Sequence, residues 1–484
     1  MKNTKLFMFA ACTLFLAACG KQTVKIMTPP DASNRVLFSA EQLQSTLDKA
    51  GYQVMMQQGD TTFSDPEIKT ILLTEVNDTT LKKEGFHITT TGNLTRVSGR
   101  DGSGVIYGSR ELIDRVNDSD GKLDFPEELK DGPEMVLRGA CVGLQKMTYL
   151  PGHGVYEYPY TPESFPWFYD KEQWIKYLDM LVANRMNSLY LWNGHPFASL
   201  VKLEDYPFAL EVDEETFKKN EEMFSFLTEE ADKRGIFVIQ MFYNIILSKP
   251  FAEHYGLKTQ DRNRPITPLI ADYTRKSIAA FIEKYPNVGL LVCLGEAMCT
   301  VEDDVEWFTK TIIPGVKDGL QALGRTDEPP LLLRAHDTDC KLVMDAALPI
   351  YKNLYTMHKY NGESLTTYEP RGPWSKIHTD LSSLGSIHIS NVHILANLEP
   401  FRWGSPDFVQ KAVQAMHNVH GANALHLYPQ SSYWDWPYTA DKLPNGEREF
   451  QLDRDWIWYQ TWGRYAWNSH RDRADEIGYW RSEE

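Results

Sequence analysis

From about residue 135 onward, short apolar runs alternate with longer stretches of helical spacing. The runs read as strands at Val136–Gly139, Ser188–Trp192, Ile236–Phe242, Val288–Leu294, Pro330–Ala335, Leu354–His358, Val392–Asn397 and Ala424–Tyr428. Near-continuous apolar runs of this length suit parallel strands buried on both faces. Between them, Trp174, Leu178, Leu181 and Val182 stripe one helix, and Phe217, Phe224, Leu227 and Ala231 stripe the next. A further helix, Asp455–Trp467, follows the eighth strand. Eight strand–helix units predict a closed (β/α)8 TIM barrel over residues 135–470. An open doubly wound sheet is the alternative. It calls for a glycine fingerprint after its first strand, and Arg138-Gly139-Ala140-Cys141 is not one.

Residues 24–116 alternate differently and predict a small α/β domain ahead of the barrel, so the fold class is α/β throughout. Ser39 with Gln42 three residues on reads as a capping box, with Leu43, Leu47 and Ala50 as the apolar stripe and Gly51 as the stop. Strands are expected at Tyr52–Met56, Thr70–Leu73 and Phe86–Thr91, and a helix at Ser109–Val116. Gly102, Gly104 and Gly108 stand before that helix. Their spacing fits neither nucleotide fingerprint, so they predict a tight turn with close helix–strand packing. Residues 117–134, rich in Asp, Gly and Pro, read as a linker, and 471–484 as a C-terminal tail.

The first residues change the picture of where the chain resides. Lys2 and Lys5 precede the apolar run Leu6–Ala18, which is short for a membrane span and ends in Leu16-Ala17-Ala18-Cys19. Residues 1–18 are expected to be a signal peptide of the lipoprotein type, with Cys19 the lipidated residue and the lipid the contact with the membrane. No acidic cluster follows Cys19, which favours a periplasm-facing anchor. The net charge is −16, or about −18 once Lys2 and Lys5 are removed, which argues against nucleic acid as a partner. Cys141, Cys293, Cys299 and Cys340 have no metal-ligand spacing, so small buried thiols are expected and neither a metal nor a cofactor is.

The candidate chemistry sits where the strands end. In a parallel barrel the C-terminal strand ends carry the site. The residues there are Asn193 and His195 after the second strand, Tyr243 and Asn244 after the third, and Glu296 after the fourth. Arg334 and His336 follow the fifth strand, Lys359 and Asn361 the sixth, and Glu399 and Trp403 the seventh. Tyr428, Trp434 and Trp436 follow the eighth. Polar and aromatic groups at so many ends predict a wet, shaped pocket. The chain's 13 Trp, 24 Tyr and 22 Phe supply flat faces on which sugar rings stack. Glycoside cleavage requires two carboxyl groups flanking the bond. Glu296 as proton donor and Glu399 as water activator stand nearly across the barrel, which favours the wider inverting spacing of roughly 6.5–9.5 Å.

Several stretches resemble glycoside hydrolase family 67, the xylan α-glucuronidases. They are Tyr255 to Asp261, Tyr285-Pro-Asn-Val-Gly with the strand ending in Glu296, Leu333-Arg334-Ala335, Lys359-Tyr-Asn361-Gly362 and Glu369-Pro370-Arg371. The resemblance implies Glu296 as general acid, Glu399 as one of two water-activating carboxylates, and Arg334 and Lys359 as cations for a uronate. The family's second base falls near Thr366 or Thr367, and its further lysine falls at Val292, so one carboxylate and one cation differ. The segment with Glu84-Gly-Phe and Asp101 to Gly108 resembles the non-catalytic N-terminal domain that hexosaminidases share with α-glucuronidases. The hexosaminidase mechanism expects an acidic residue before the catalytic glutamate, and here that residue is Gly295. The expectation is an inverting glycosidase acting on the terminal sugar, uronic acids included, of plant or host oligosaccharides. The rival is a carbohydrate-binding lipoprotein that has lost catalysis.

Overall fold

The structure is a computed structural model that describes residues 21–144, 159–243, 246–296, 298–363, 365–392, 404–427, 436–438 and 442–482. Among the described residues, fourteen strands fall into two sheets. The first holds β1 (Thr23–Thr28), β2 (Gln53–Gln58), β3 (Lys69–Glu75), β4 (Phe86–Thr91), β5 (Leu94–Gly99) and β6 (Glu128–Asp131) in the order β2-β1-β3-β5-β4-β6. Two helices pack on it, α1 (Asn34–Lys49) and α2 (Gly102–Asp118). The second sheet is a closed barrel of parallel strands. It comprises β7 (Leu137–Gly143), β8 (Ser188–Trp192), β9 (Phe237–Tyr243), β10 (Val288–Cys293), β11 (Leu331–Arg334), β12 (Leu354–Glu363), β13 (Ile387–Val392) and β14 (Ala424–Leu427). Ala424 pairs with Leu137 to close the ring. The expected TIM barrel with a preceding α/β domain is what the chain forms.

Several expected boundaries move, each for a local reason. α1 starts at Asn34 and not near Ser39. Ser33 caps it, and the Ser39 hydroxyl turns back to donate to the Arg35 carbonyl. Gly102, Gly104 and Gly108 lie within α2, whose cap is Asp101. They are there for proximity: a Cβ on Gly104 would stand 2.3 Å from the Gly85 carbonyl oxygen, and one on Gly108 2.5 Å from Val97. Residues expected as linker supply β6, which pairs antiparallel with β4. Residues expected as tail form the helix Arg473–Ser482, tied to the preceding helix by the Arg464–Glu476 ion pair. The largest shift is in β13, which begins at Ile387 and not at Val392, while the expected residues 393–397 lie outside the described residues.

The first sheet is locked to the N-terminal end of the barrel. Arg138 of β7 is fully buried and donates to Glu84 Oε2 at 2.8 Å, to the Tyr107 hydroxyl at 3.2 Å, and to the carbonyls of Met135 and Arg185 at 2.7 Å each. Asn187 donates to both Glu84 oxygens at 3.0 Å. Burial of an ion pair is tolerated when each charge is hydrogen-bonded, and here both are. Among the described residues, no helix is long and apolar enough to cross a membrane. Cys141, Cys293 and Cys340 are buried as expected, whereas Cys299 is exposed.

Candidate active site

Strand register builds the site. Cys293 of β10 lies opposite Tyr243 of β9 and Arg334 of β11, so these three residues form a row across the C-terminal end of the barrel. Arg334 in turn lies opposite Met357 of β12, which places Lys359 one step higher. Glu296 stands three residues beyond Cys293. Its loop is seated against the loop of His336. A Cβ on Gly295 would fall 1.5 Å from the Asp337 carbonyl oxygen, so only glycine fits before the glutamate. Thr338 accepts from the Gly295 amide at 3.0 Å. Arg262 joins the two loops by donating to the carbonyls of Gly295 (2.7 Å) and Met298 (3.2 Å) and to Asp337 (2.9 Å).

The carboxylate of Glu296 is bound on both oxygens. Arg334 Nη1 donates to Oε2 at 2.8 Å, and His336 Nε2 faces Oε1 at 3.1 Å. Tyr243 hydrogen-bonds to it as well. Arg334 is buried against Cys293 Sγ at 3.7 Å, and its guanidinium lies 5.0 Å from the Trp192 ring centre, a cation–π contact. Lys359 Nζ stands 3.5 Å from His336 Nε2. Burial alone would raise the Glu296 pKa. The hydrogen bond from His336, the charges of Arg334 and His336, and the Tyr243 hydroxyl outweigh it, and together they hold the carboxyl well below its usual range. Arg334, which the resemblance implied as a cation for a uronate, pairs with the carboxylate of Glu296. Asp337 pairs with Arg262, and Asp339 caps the helix Cys340–Ala347.

Other expected site residues brace the frame. Asn193 donates to the Leu144 carbonyl at 2.8 Å and accepts from the His195 amide at 2.9 Å. His195 is buried against the Tyr273 hydroxyl at 2.9 Å, and burial pushes its pKa down to about 3, so it is neutral. Asn361 donates to Thr366 and to the Thr367 carbonyl, closing the loop after β12. Trp436 was expected in the pocket. It is buried among Trp167, Trp174 and Tyr177, with its indole N–H donating to Gln451. Cys19, Asn244, Glu399, Trp403, Tyr428 and Trp434 lie outside the described residues. β12 runs on to Glu363, which adds a carboxylate-bearing residue at a strand end that the sequence reading passed over. Among the described residues, no group of three His, Cys, Asp or Glu side chains is placed to hold a metal.

The missed residues had faint signals. Arg262 directly follows the Tyr255–Asp261 stretch, but nothing in the sequence tied it to Gly295. Val292, where the family 67 pattern has a lysine, precedes the inward-facing Cys293. Strand alternation therefore turns it to the helix layer.

Comparison with solved structures gives a close relative. A GH138 enzyme, described as targeting pectin rhamnogalacturonan II, matches with a TM-score of 0.91 and 73% identity, over 95% of this chain and 66% of that one. The chain is related to the glycoside hydrolases. It spans about two thirds of that enzyme's length. A Flavobacterium johnsoniae chitobiase matches with a TM-score of 0.59 at 12% identity, over 96% of this chain and 68% of that one. A Bacteroides fragilis β-N-acetylhexosaminidase matches with 0.56 at 13%, over 96% and 91%. Those two likenesses show the fold alone. No protein-family model and no curated protein sequence matches the chain. These likenesses are to GH138 and hexosaminidase-type chains, and the α-glucuronidase resemblance rests on its sequence motifs.

Proposed function

We propose that this chain is a glycoside hydrolase that removes a terminal uronic acid from pectic or related plant oligosaccharides, with Glu296 as its proton donor. The observation that carries the reading is the rim cluster of Glu296, Arg334, His336 and Lys359. A catalytic-type carboxylate there stands beside a fork-shaped guanidinium and, through His336, a point-charge ammonium. Those two cations suit a sugar carboxylate, Arg334 through paired hydrogen bonds and Lys359 through its charge. The pectin target of the 73% identical relative supports an acidic polysaccharide as substrate class.

Two carboxylates divide the work in such an enzyme. Glu399 is the proposed water activator, and a position across the barrel would give inversion at the anomeric carbon. The test is hydrolysis of a panel of uronate-capped pectic oligosaccharides, with early product NMR, by wild type, Glu296→Gln and Glu399→Ala. Unchanged turnover in Glu296→Gln refutes the assignment of Glu296. Affinity without turnover for every member of the panel would make the protein a carbohydrate-binding lipoprotein. The proposed anchor at Cys19 is tested separately: Cys19→Ala should move the protein from the membrane fraction to the soluble fraction, and no movement refutes it.

A further inference from the structure

Glu296 sits in a turn whose backbone is gripped by two other loops. The Gly295 amide donates to Thr338 Oγ1 at 3.0 Å, and that hydroxyl donates to the His336 carbonyl at 3.1 Å. A single nitrogen, Arg262 Nη2, reaches the carbonyls of Gly295 (2.7 Å) and Met298 (3.2 Å) and the Asp337 carboxylate (2.9 Å). The two carbonyls flank Glu296 in the chain, so this nitrogen closes the turn that carries it. Arg262 itself stands on a closed turn. The Asp261 carboxylate accepts from the Asn263 amide at 3.0 Å, and the Asp261 carbonyl accepts from the Arg264 amide at 3.2 Å. The Cys299 thiol docks the same turn on the Glu296 loop a second time, donating to Asn263 Oδ1 at 3.2 Å. As a device for stability this clasp is poor. Arg262 and Asp337 have side chains 46% and 56% exposed, and an ion pair so open to water adds little. Asp337 also has a φ of 53°, in the left-handed region, with its carbonyl pressed against Gly295. Backbone strain of this kind persists where the surroundings impose it, and it gathers at active sites.

We propose that Arg262 is a positioning residue for Glu296: it fixes the turn that aims the carboxyl at the leaving oxygen and holds that turn against the loop of His336. The inference rests on the reading of Glu296 as proton donor. Arg262 meets the Glu296 loop on its backbone carbonyls, so it acts through geometry. Without Arg262 the turn loses both carbonyl contacts, while Thr338 still holds the Gly295 amide. A displacement of about 1 Å at a reacting group costs about 10²-fold in rate. The loss falls on reactions whose leaving group needs a proton. A leaving group that departs as a stable anion is spared, and so is substrate affinity.

The test compares two leaving groups. Wild type, Glu296→Gln, Arg262→Ala and Arg262→Lys are assayed on a uronate-capped pectic disaccharide and on a 2,4-dinitrophenyl uronoside, whose phenolate leaves unprotonated. For Arg262→Ala the expected result is a fall of about 10²-fold in kcat on the disaccharide, with KM within about twofold, and a fall below about fivefold on the aryl uronoside. Glu296→Gln should show the same pattern more strongly. Arg262→Lys keeps a donor and the charge, and it should recover part of the loss. The Tm of Arg262→Ala should stay within about 3 °C of wild type, since the pair is exposed. Equal losses on the two substrates, a loss in KM in place of kcat, or wild-type rates on both overturn the inference. If Glu296→Gln still discriminates between the leaving groups in that case, Glu296 remains the donor. A Glu296→Gln that does not discriminate, or a wild type that turns over neither substrate, overturns the reading and the inference together. Should Arg262→Ala not fold, Arg262→Lys carries the same comparison, and equal rates on both substrates relative to wild type refute the proposal.

Discussion

Arg138–Glu84 and Arg334–Glu296 are the same ion pair at opposite ends of one barrel. Each has an Nη-to-carboxylate contact of 2.8 Å, each arginine belongs to a barrel strand, and each guanidinium lies near a tryptophan ring. They differ in what surrounds the carboxylate. Glu84 is held by Arg138 and Asn187 where one sheet meets the other, and its side chain is 11% exposed. Glu296 is held on the open rim and its side chain is 27% exposed. A carboxylate whose donors all join parts of the fold stabilises the fold. In parallel barrels the N-terminal face carries stability and the C-terminal face carries chemistry, and these pairs show that division in one type of contact.

Four substitutions or titrations separate the pairs. The largest expected effect is on turnover: Glu296→Gln should lose about 10²–10⁴ in kcat, as expected for removal of a general acid, with the fold intact by circular dichroism. A lesser loss would place Glu296 with Glu84 as a structural group. Arg138→Met leaves Glu84 buried without its cation and should cost about 3–5 kcal/mol in denaturant unfolding. A stable Arg138→Met would mean that the clamp is not what joins the sheets. Arg334→Ala should weaken a uronate substrate by roughly 2–5 kcal/mol relative to its neutral hexose analogue. Equal losses would make Arg334 a brace like Arg138.

The smallest effect is on stability against pH. The Glu296 carboxyl is held below its ordinary value of 4.5, so its contribution is fully present above that pH and is lost as the pH falls further. The Tm of wild type minus that of Glu296→Gln should therefore shrink as the pH drops below 4.5. A constant difference would show that the carboxylate gains nothing from its donors.

The barrel was legible wherever a strand is apolar on both faces. β8 and the start of β10 lie where the apolar runs placed them. β13 was misplaced because its positions carry His388, Ser390 and Asn391. These are buried polar groups, two of whose partners lie on neighbouring strands: His388 with Thr356 and Asn391 with His426. Such partners are remote in sequence, so the run reads as loop. β12 was cut short at His358 for the matching reason, since Lys359, Asn361 and Glu363 look like loop residues until the strand is seen to continue. Glu296, Arg334 and Lys359 could be found from their positions after strands. That Arg334 and Glu296 bind each other could not, because it depends on the register of β10 against β11.

The pairing of Ala424 with Leu137 also governs how the molecule is assembled. β7 leaves the ribosome early and stays without one neighbour until β14 has been made. The first sheet, complete by Asp131, is finished long before, and chains emerging N-terminus first fold such units in turn. The open side of β7 meanwhile offers unpaired backbone groups to any other nascent chain. Refolding yield should fall steeply with protein concentration. A yield independent of concentration would show that this edge is shielded before the ring closes.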